Sequence, residues 1–270
     1  MPELPEVETT LRGIAPVLKG QRIDAMVIRN PALRWPIPVA VQQAVGQQVH
    51  DLQRRAKYLL IELESGGLLC HLGMSGSLRI CEPDTPLKKH DHFDIVLASE
   101  QCIRYHDPRR FGALLWWDAP ALEHPLLKDL GPEPLQSGFS GEHLWQRSRG
   151  LRVAVKNFIM NGKVVVGVGN IYASEALFMA GIHPSRAAGR VSKERYKALA
   201  EAIRDVLGRA IRQGGTTLRD FQNSAGEPGY FAQDLLVYER GGKGCFQCNS
   251  PIKRKVIGQR SSYYCSRCQR

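Results

Sequence analysis

The chain has 270 residues, a hydrophobic fraction of 43% and a formal net charge of +11 at pH 7. This length and composition are typical of a globular protein of two or three domains with a substantial buried core. The sequence has no apolar run of the roughly 18–20 residues that a membrane span needs and no N-terminal signal segment. It therefore predicts neither a membrane protein nor a secreted one, and a cytoplasmic location is expected.

The first ten residues, MPELPEVETT, place Pro2 directly after Met1. Removal of Met1 would leave Pro2 with a free secondary amine, which is an unusual group at a chain terminus. The same residues also suit the first turn of a helix, because proline fits there and the carboxylate of Glu3 favours the positive end of the helix dipole. From these residues alone, both interpretations stay open. The helix itself is predicted by one apolar face, formed by Val7, Leu11, Ile14 and Leu18.

The region after this helix has the pattern of a β domain. Residues 22–117 contain short β-type runs separated by Gly, Pro and Asp turns, and they predict a sandwich or a barrel. Two prolines in LGPEPL, at 130–135, mark a linker. The glycine-rich segment 213–231 is too long and polar for a turn, and it predicts a functional loop.

Between the linker and this loop, the apolar period is helical. A long helix is expected behind an N-cap at Ser192, and a shorter one near 173–180 that ends at Gly181. Asn170 lies at the head of the shorter helix, where free backbone N–H groups bind phosphate, although an ordinary N-cap is the alternative. The GVGN stretch lacks the strand–helix order and downstream acid of a dinucleotide site, so no nucleotide cofactor is predicted.

The C-terminal segment is strongly basic and rich in cysteine. Residues 238–270 hold eight Lys or Arg against one acid, which is typical of a phosphate-backbone binder, with a solvated basic tail as the alternative. Two Cys-x2-Cys pairs separated by sixteen residues predict a closed, tetrahedral structural zinc site, and disulfides fit poorly in a chain without a signal segment. The four ligands of this site would be Cys245, Cys248, Cys265 and Cys268.

The residues between the two cysteine pairs predict a β-hairpin, with strands at 253–257 and 260–264 around a Gly258-Gln259 turn. This hairpin would hold Arg260 next to the turn on a rigid element. The other cysteines, Cys70, Cys81 and Cys102, show no ligand spacing, and we expect them to be small buried apolar residues without reactive thiols.

Eight motifs in a fixed order give the chain a resemblance to bacterial formamidopyrimidine-DNA glycosylases, which remove 8-oxoguanine and ring-opened purines. They are PELPEVE, RRAKYLL, HLGMSGSLR, DPRRFG, GVGNIYASE, GIHP, QGGTTLRDF and the four-cysteine segment. The resemblance implies an α+β multidomain chain in three parts. These are an N-terminal β-sandwich with flanking helices at 1–130, a helical helix-two-turn-helix domain with a lesion-capping loop at 131–235, and a zinc-finger β-hairpin at 236–270.

The resemblance also implies the catalytic residues. In this family, the mature N-terminal proline amine attacks C1′ of the damaged nucleotide and forms a Schiff base, which makes Pro2 the nucleophile and Glu3 its neighbouring acid. Lys57 corresponds to the lysine used for elimination and phosphate contact. Arg260 corresponds to the finger arginine used in δ-elimination and phosphate binding.

The remaining implied residues contact DNA. Met74 and Phe111 would fill the space of an extruded base, and Arg109 would bond the opposite cytosine. Backbone-phosphate contacts are expected from His90, Arg152, Lys156 and Asn170, with Arg149 as an alternative to Arg152, and Arg219 lies in the loop that would close over the lesion.

The resemblance implies one structural Zn²⁺, duplex DNA with oxidised purines as the partner, a monomer, and association with the nucleoid. Two alternatives remain. An endonuclease VIII-like enzyme shares Pro2 and Glu3 but prefers oxidised pyrimidines, whereas PELPEVE and the Met-Arg-Phe trio favour the purine enzyme. A non-catalytic zinc-ribbon binder of DNA or RNA would explain the charge and cysteines, but it gives no reason for a processed Pro-Glu terminus.

Overall fold

The computed structural model describes residues 2–118, 120–216 and 234–270. The chain forms two compact units. The first contains the described residues up to Asp129 together with 213–216, and the second contains Leu130–Arg212 and the residues from 234 onward. Among the described residues, no helix combines the length and apolar character that a membrane crossing requires. The three-domain division stays a prediction.

Helix α1 (Leu4–Leu18) opens the first unit. Its N-cap is Glu3, and a capping box links Glu3 and Glu6: each carboxylate accepts the backbone N–H of the other residue. Pro5 occupies the first turn, where the missing N–H costs nothing. The predicted apolar face is confirmed, since Val7, Ile14 and Leu18 are buried.

Two four-stranded antiparallel sheets follow and confirm the predicted β-sandwich. The strands are β1 (Ile23–Ile28), β2 (Val49–Arg55), β3 (Tyr58–Leu63), β4 (Gly67–His71), β5 (Ser77–Cys81), β6 (Asp91–Leu97), β7 (Cys102–His106) and β8 (Ala113–Trp117). One sheet has the order β1-β6-β7-β5 and the other β2-β3-β4-β8. Apolar residues of α1 and of both sheets, among them Ile14, Leu68 and Phe93, form one buried core.

The second unit is helical before its C-terminal hairpin. It contains α2 (Gly141–Ser148), α3 (Val155–Ile159), α4 (Asn170–Met179) and α5 (Lys193–Arg212). Helix α5 begins after the predicted N-cap, because the Ser192 hydroxyl accepts the Arg195 backbone N–H at 3.3 Å. Helix α4 begins at Asn170, the residue predicted at its head, and the chain leaves it through Gly181 at φ +67°, a conformation that favours glycine.

The C-terminal hairpin has the predicted bounds, β9 (Lys253–Ile257) and β10 (Arg260–Tyr264). Gly258 and Gln259 form its turn with φ of +55° and +62°, the pair of positive values that a tight hairpin turn requires. A Cβ on Gly258 would collide with the side chain of Asn157 in α3, so the turn packs directly against that helix.

Candidate functional site

The N-terminal residues are held by the carboxylate of Glu6. Pro2 and Glu3 are both buried. One oxygen of Glu6 accepts the Glu3 backbone N–H at 2.7 Å, and the other accepts the Thr216 backbone N–H at 2.8 Å. Glu6 therefore fixes the residue that follows Pro2 and, at the same time, the start of the predicted loop 213–231. The spacing of Glu3 and Glu6 is that of a capping box, and it is the sequence signal for the first of these two contacts.

Lys57 lies in the turn between β2 and β3, in the same unit as Pro2. Ala56 precedes it at φ +56°. Arg54 ties this turn to α1: its Nε donates to Glu8 Oε2 at 2.8 Å and its Nη1 donates to the Ala56 carbonyl at 3.0 Å. Burial raises the pKa of Glu8, but the hydrogen bonds from Arg54 and Arg12 outweigh it and hold that pKa below its usual value. The helix that starts at the N-terminus thus also anchors the lysine turn.

His71 connects the lysine turn with the next loop. Its ring packs on Tyr58 at 4.9 Å between centroids, and its Nδ1 accepts the Gly73 backbone N–H at 3.0 Å. Burial lowers the pKa of His71 to about 4, and the nearby cations Lys57 and Arg34 add to this effect. His71 is therefore neutral near pH 7 and can accept the hydrogen bond that orders the residue before Met74.

Met74, Arg109 and Phe111 lie on two loops that touch. A Cβ on Gly73 would collide with the backbone of Phe111, so only glycine allows the loops to approach this closely. Met74 is half-buried, Phe111 is 43% exposed, and the Arg109 guanidinium lies 5.1 Å from the Phe111 ring centroid. The structure therefore brings together the three residues that the sequence predicts to act as one group.

A buried carboxylate organises both loops. Asp107 accepts hydrogen bonds from Ser75 Oγ at 2.8 Å, from the Tyr105 hydroxyl at 3.1 Å and from two backbone N–H groups, those of Arg109 at 3.2 Å and Gly112 at 2.9 Å. The backbone N–H of Asp107 also donates to the His90 carbonyl at 3.0 Å, which places His90 beside the same loop. Sequence reasoning missed Asp107, which stands first in the DPRRFG motif.

Asp107→Asn is expected to lower the free energy of unfolding by about 1–3 kcal/mol. The side-chain NH2 group of asparagine would replace one carboxylate oxygen and would face N–H and O–H groups that themselves donate. Urea denaturation of the variant measures this loss. Asp84→Asn, at an exposed carboxylate, is the matched control and should leave the midpoint unchanged. Equal midpoints for the two variants would contradict the organising role of Asp107.

In the second unit, Lys156 and Asn170 form one hydrogen-bonded group with the finger hairpin. Lys156 is fully buried, and its Nζ donates to Asn170 Oδ1 at 2.6 Å and to Ser262 Oγ at 2.7 Å. Asn170 Nδ2 donates to the Ser261 carbonyl at 3.0 Å and to the Tyr238 hydroxyl at 3.2 Å. A lysine buried in this way can position Asn170 at the head of α4, whereas the resemblance implies a contact from Lys156 itself to the DNA backbone.

Glu175, one turn further along α4, holds the segment that leads into the finger. Its carboxylate accepts three consecutive backbone N–H groups, from Leu236 at 2.7 Å, Val237 at 3.0 Å and Tyr238 at 2.8 Å. Burial raises the pKa of Glu175 although these three donors oppose the shift. Glu175 therefore helps to place Tyr238 next to Asn170, and no sequence motif pointed to this contact.

Arg152 and Arg149 differ in their surroundings. Arg149 donates to the Trp145 carbonyl at 2.9 Å and to the Val191 carbonyl at 3.0 Å. Arg152 is exposed and has no hydrogen-bond or ion-pair partner within residues 2–118, 120–216 and 234–270. This difference favours Arg152 over Arg149 as the side chain that is available to a ligand.

The four predicted ligand cysteines converge. Their sulfur atoms all lie within 4.8 Å of one another, with Cys245 and Cys268 at 3.9 Å and Cys248 and Cys265 at 3.5 Å. Four thiolates at about 2.3 Å from one tetrahedral zinc would be about 3.8 Å apart. The cluster therefore fits one metal ion. The Cys268 backbone N–H also donates to Cys265 Sγ at 3.5 Å, which orders this end of the cluster.

The GIHP motif holds the end of the finger. Gln269 Nε2 donates to the Ile182 carbonyl at 2.9 Å, and the His183 backbone N–H donates to the Arg270 carbonyl at 3.1 Å.

The four predicted catalytic residues belong to different units. Arg260 is exposed at the start of β10 in the second unit, whereas Pro2, Glu3 and Lys57 belong to the first unit. Arg219 lies outside the described residues.

Comparison with known proteins assigns the chain to a family. The family model described as the formamidopyrimidine-DNA glycosylase N-terminal domain matches residues 1–114, and the H2TH domain model of the same family matches residues 130–222. The formamidopyrimidine-DNA glycosylase of Magnetococcus marinus is 60% identical over 274 residues, with both chains covered completely.

Solved structures agree with the family models. The MutM (FPG) protein from Thermus thermophilus aligns with a TM-score of 0.90 at 36% identity, over 99% of this chain and 98% of that chain. A Lactococcus lactis FPG mutant in complex with DNA containing Fapy-dG aligns with a TM-score of 0.93 at 29% identity, over 100% of both chains. The chain therefore belongs to the formamidopyrimidine-DNA glycosylase family of base-excision repair enzymes.

Proposed function

We propose that this chain excises oxidised purines, namely 8-oxoguanine and formamidopyrimidines, from duplex DNA and then cuts the strand by β- and δ-elimination. Full-length relatives with identities of 56% and 60% support this activity. The observation that carries it is the ordered N-terminus, in which Glu6 fixes the backbone of Glu3 directly after Pro2. Removal of Met1 would place the free amine of Pro2 directly before this fixed backbone.

The proposed reaction begins at the Pro2 nitrogen. Once Met1 is removed, this secondary amine is uncharged closer to neutral pH than a lysine is, and it attacks C1′ of the damaged nucleotide. The bond from C1′ to the base breaks and its electron pair leaves with the base. The attached nitrogen then loses its proton, and its lone pair forms an iminium with C1′ as the bond from C1′ to the ring oxygen breaks. Glu3 protonates or stabilises the opening sugar at this step.

Strand cleavage follows from the same intermediate. Loss of a proton from C2′ of the iminium expels the 3′ phosphate, and a second elimination expels the 5′ phosphate. We assign Lys57 to the first elimination and to phosphate contact, in keeping with its turn anchored to α1 through Arg54. We assign Arg260 to the second elimination and to the flanking phosphates, in keeping with its exposed place at the start of β10.

Three side chains would stabilise the DNA from which the lesion has been extruded. Met74 and Phe111 would fill the vacated space in the stack, and Arg109 would bond the orphaned cytosine. The shared support of their loops by Asp107 favours a joint role, since one carboxylate orders both.

We propose phosphate contacts for His90, Arg152 and Asn170. Asn170 heads α4, where backbone N–H groups attract phosphate oxygens. Lys156 would act from behind Asn170 by fixing its amide through Oδ1. We propose that Arg219 belongs to the loop that closes over the lesion, and that the chain works as a monomer on nucleoid DNA.

The metal of the four-cysteine cluster is proposed to be zinc. Thiolate donors in a closed tetrahedral set are typical of structural zinc, which has no open position for catalysis there. The ion would hold the ends of the β9–β10 hairpin together and so fix the place of Arg260.

Borohydride trapping with two lesions tests the proposed substrate. The chain without Met1 is incubated with duplexes that contain 8-oxoguanine opposite cytosine, thymine glycol opposite adenine, or no lesion. We expect a covalent adduct and base release mainly with 8-oxoguanine. Preference for thymine glycol would indicate an endonuclease VIII-like enzyme, and binding without any adduct would indicate a non-catalytic binder.

A further inference from the structure

Two of the three cysteines outside the metal centre lie side by side. Cys81 ends β5 and Cys102 begins β7, and the antiparallel register places them directly opposite each other. Their Sγ atoms are 3.4 Å apart, whereas the sulfur atoms of a disulfide are about 2.05 Å apart. Opposed residues on antiparallel strands have Cα atoms about 4.5–5.5 Å apart, which is within the range that disulfides span. Modest side-chain rotation would therefore allow the bond to form.

The burial of Cys81 departs from the expectation that all three cysteines are buried, and the expectation that their thiols are unreactive stays untested. Cys70 fits that expectation, because burial raises the pKa of its thiol to about 12. Cys102 is fully buried, but Cys81 lies on the edge strand of its sheet and is partly exposed. The pair thus has one sulfur within reach of solvent and one behind it.

The surroundings of the pair favour a neutral oxidant. Burial, the contact with Cys81 and the nearby Asp94 raise the pKa of the Cys102 thiol to about 12, and Arg104 opposes the shift, so peroxide reacts first at the more exposed Cys81. Glu82 and Gln101, the chain neighbours of the two cysteines, line a surface cavity of about 720 Å³. Its other acids are Asp24, Asp84 and Glu100. This negative charge repels anionic reagents such as glutathione disulfide but not a small uncharged peroxide.

We propose that Cys81 and Cys102 are a peroxide-oxidisable dithiol that forms an intramolecular disulfide between β5 and β7. Hydrogen peroxide first converts the Cys81 thiol to a sulfenic acid and releases one water. The Cys102 sulfur then attacks the Cys81 sulfur, and its proton leaves with the hydroxyl group as a second water. Two thiols and one peroxide thus give one disulfide and two waters. Because the sulfur atoms are 3.4 Å apart, we expect this intramolecular step to precede further oxidation of Cys81.

The disulfide would clamp the sheet at the end away from the candidate site. The same ladder pairs Ser77 with His106 at its other end, next to the loops that carry Met74 and Phe111. A cross-link at Cys81 and Cys102 therefore stabilises both strands without altering those loops. We expect the thermal midpoint of the oxidised chain to rise by roughly 5 °C or more, and its excision activity to be retained.

Peptide mapping of the full-length, zinc-loaded chain tests the proposal. After treatment with hydrogen peroxide and alkylation, trypsin should release peptides 80–88 and 90–104 joined, with a mass about 2 Da below that of the two reduced peptides together. Glutathione disulfide at equal concentration should give much less of the joined product. Zinc content is followed in parallel, so that oxidation of the four-cysteine cluster is seen separately.

Two variants complete the design. Cys81→Ala should give no joined peptide and no sulfenic acid, whereas Cys102→Ala should give a sulfenic acid on Cys81 that dimedone traps. The midpoint increase should be absent in both. The proposal is overturned if Cys81 passes to sulfinic acid without joining Cys102, or if peroxide releases zinc while both thiols stay reduced.

Discussion

A chain that keeps residues in front of Pro2, whether retained Met1 or a short tag, is expected to lose both base excision and borohydride trapping. The same tag placed after Arg270 should leave both intact. The reason is covalent: an extension converts the proline amine into a tertiary amide without a usable lone pair. Loss of the nucleophile should lower the rate by about 10⁴-fold or more, the scale seen when a nucleophile is removed from a preorganised site.

Binding measurements separate chemistry from folding in this experiment. Both tagged chains should bind a duplex with a tetrahydrofuran abasic analogue, which cannot form the iminium. Pro2→Gly keeps an N-terminal amine and should retain some lyase activity at a mispositioned primary amine. Glu3→Gln should lose base excision more than cleavage at a preformed abasic site, because only excision needs the neighbouring acid. Full activity of the chain with the N-terminal tag would contradict the assigned role of Pro2.

Cys248→Ser is expected to release the metal and to weaken DNA binding by about 100-fold or more at ~0.1 M salt. In small metal-bound domains, metal binding supplies the folding free energy, so the hairpin that carries Arg260 should lose its order. The first unit should stay folded, since its core is formed by α1 and the two sheets and contains no metal ligand. Metal content, duplex binding and the near-ultraviolet circular dichroism of the tryptophans measure these three effects.

Cys81→Ala is the matched control, because it removes a cysteine that is not part of the four-sulfur cluster. It should keep one metal per chain and unchanged binding. If Cys248→Ser, or the wild-type chain after chelation, still bound duplex DNA as tightly as the metal-loaded chain, the structural role of the metal would be wrong.

Elements that depend on local patterns could be predicted from the sequence. The hairpin bounds followed from two short β-type runs around Gly258-Gln259, and the four-cysteine cluster followed from spacing alone. Helix α1 followed from its apolar period. The apolar period located α4 only near 173–180, because its residues are buried nearly all around and give little amphipathic signal, whereas Asn170 was placed correctly at its head.

Contacts that depend on strand register or on distant segments were not predictable. Asp107 meets Ser75 only because β5 and β7 pair, and Cys81 meets Cys102, 21 residues away, for the same reason. The carboxylate of Glu175 reaches backbone N–H groups more than sixty positions along the chain. The motifs marked Lys156 and Asn170 as DNA contacts, but they did not show that Lys156 is buried behind Asn170 or that Asp107 orders two loops.

The most direct test of the account is mass spectrometry of the borohydride-trapped, proteolysed complex with an 8-oxoguanine duplex. The chemistry assigned to the ordered N-terminus predicts a single adduct, on the nitrogen of Pro2 in the N-terminal peptide. An adduct on Lys57, with an unmodified N-terminal peptide, would show that the lysine is the nucleophile and that Pro2 and Glu3 only begin α1.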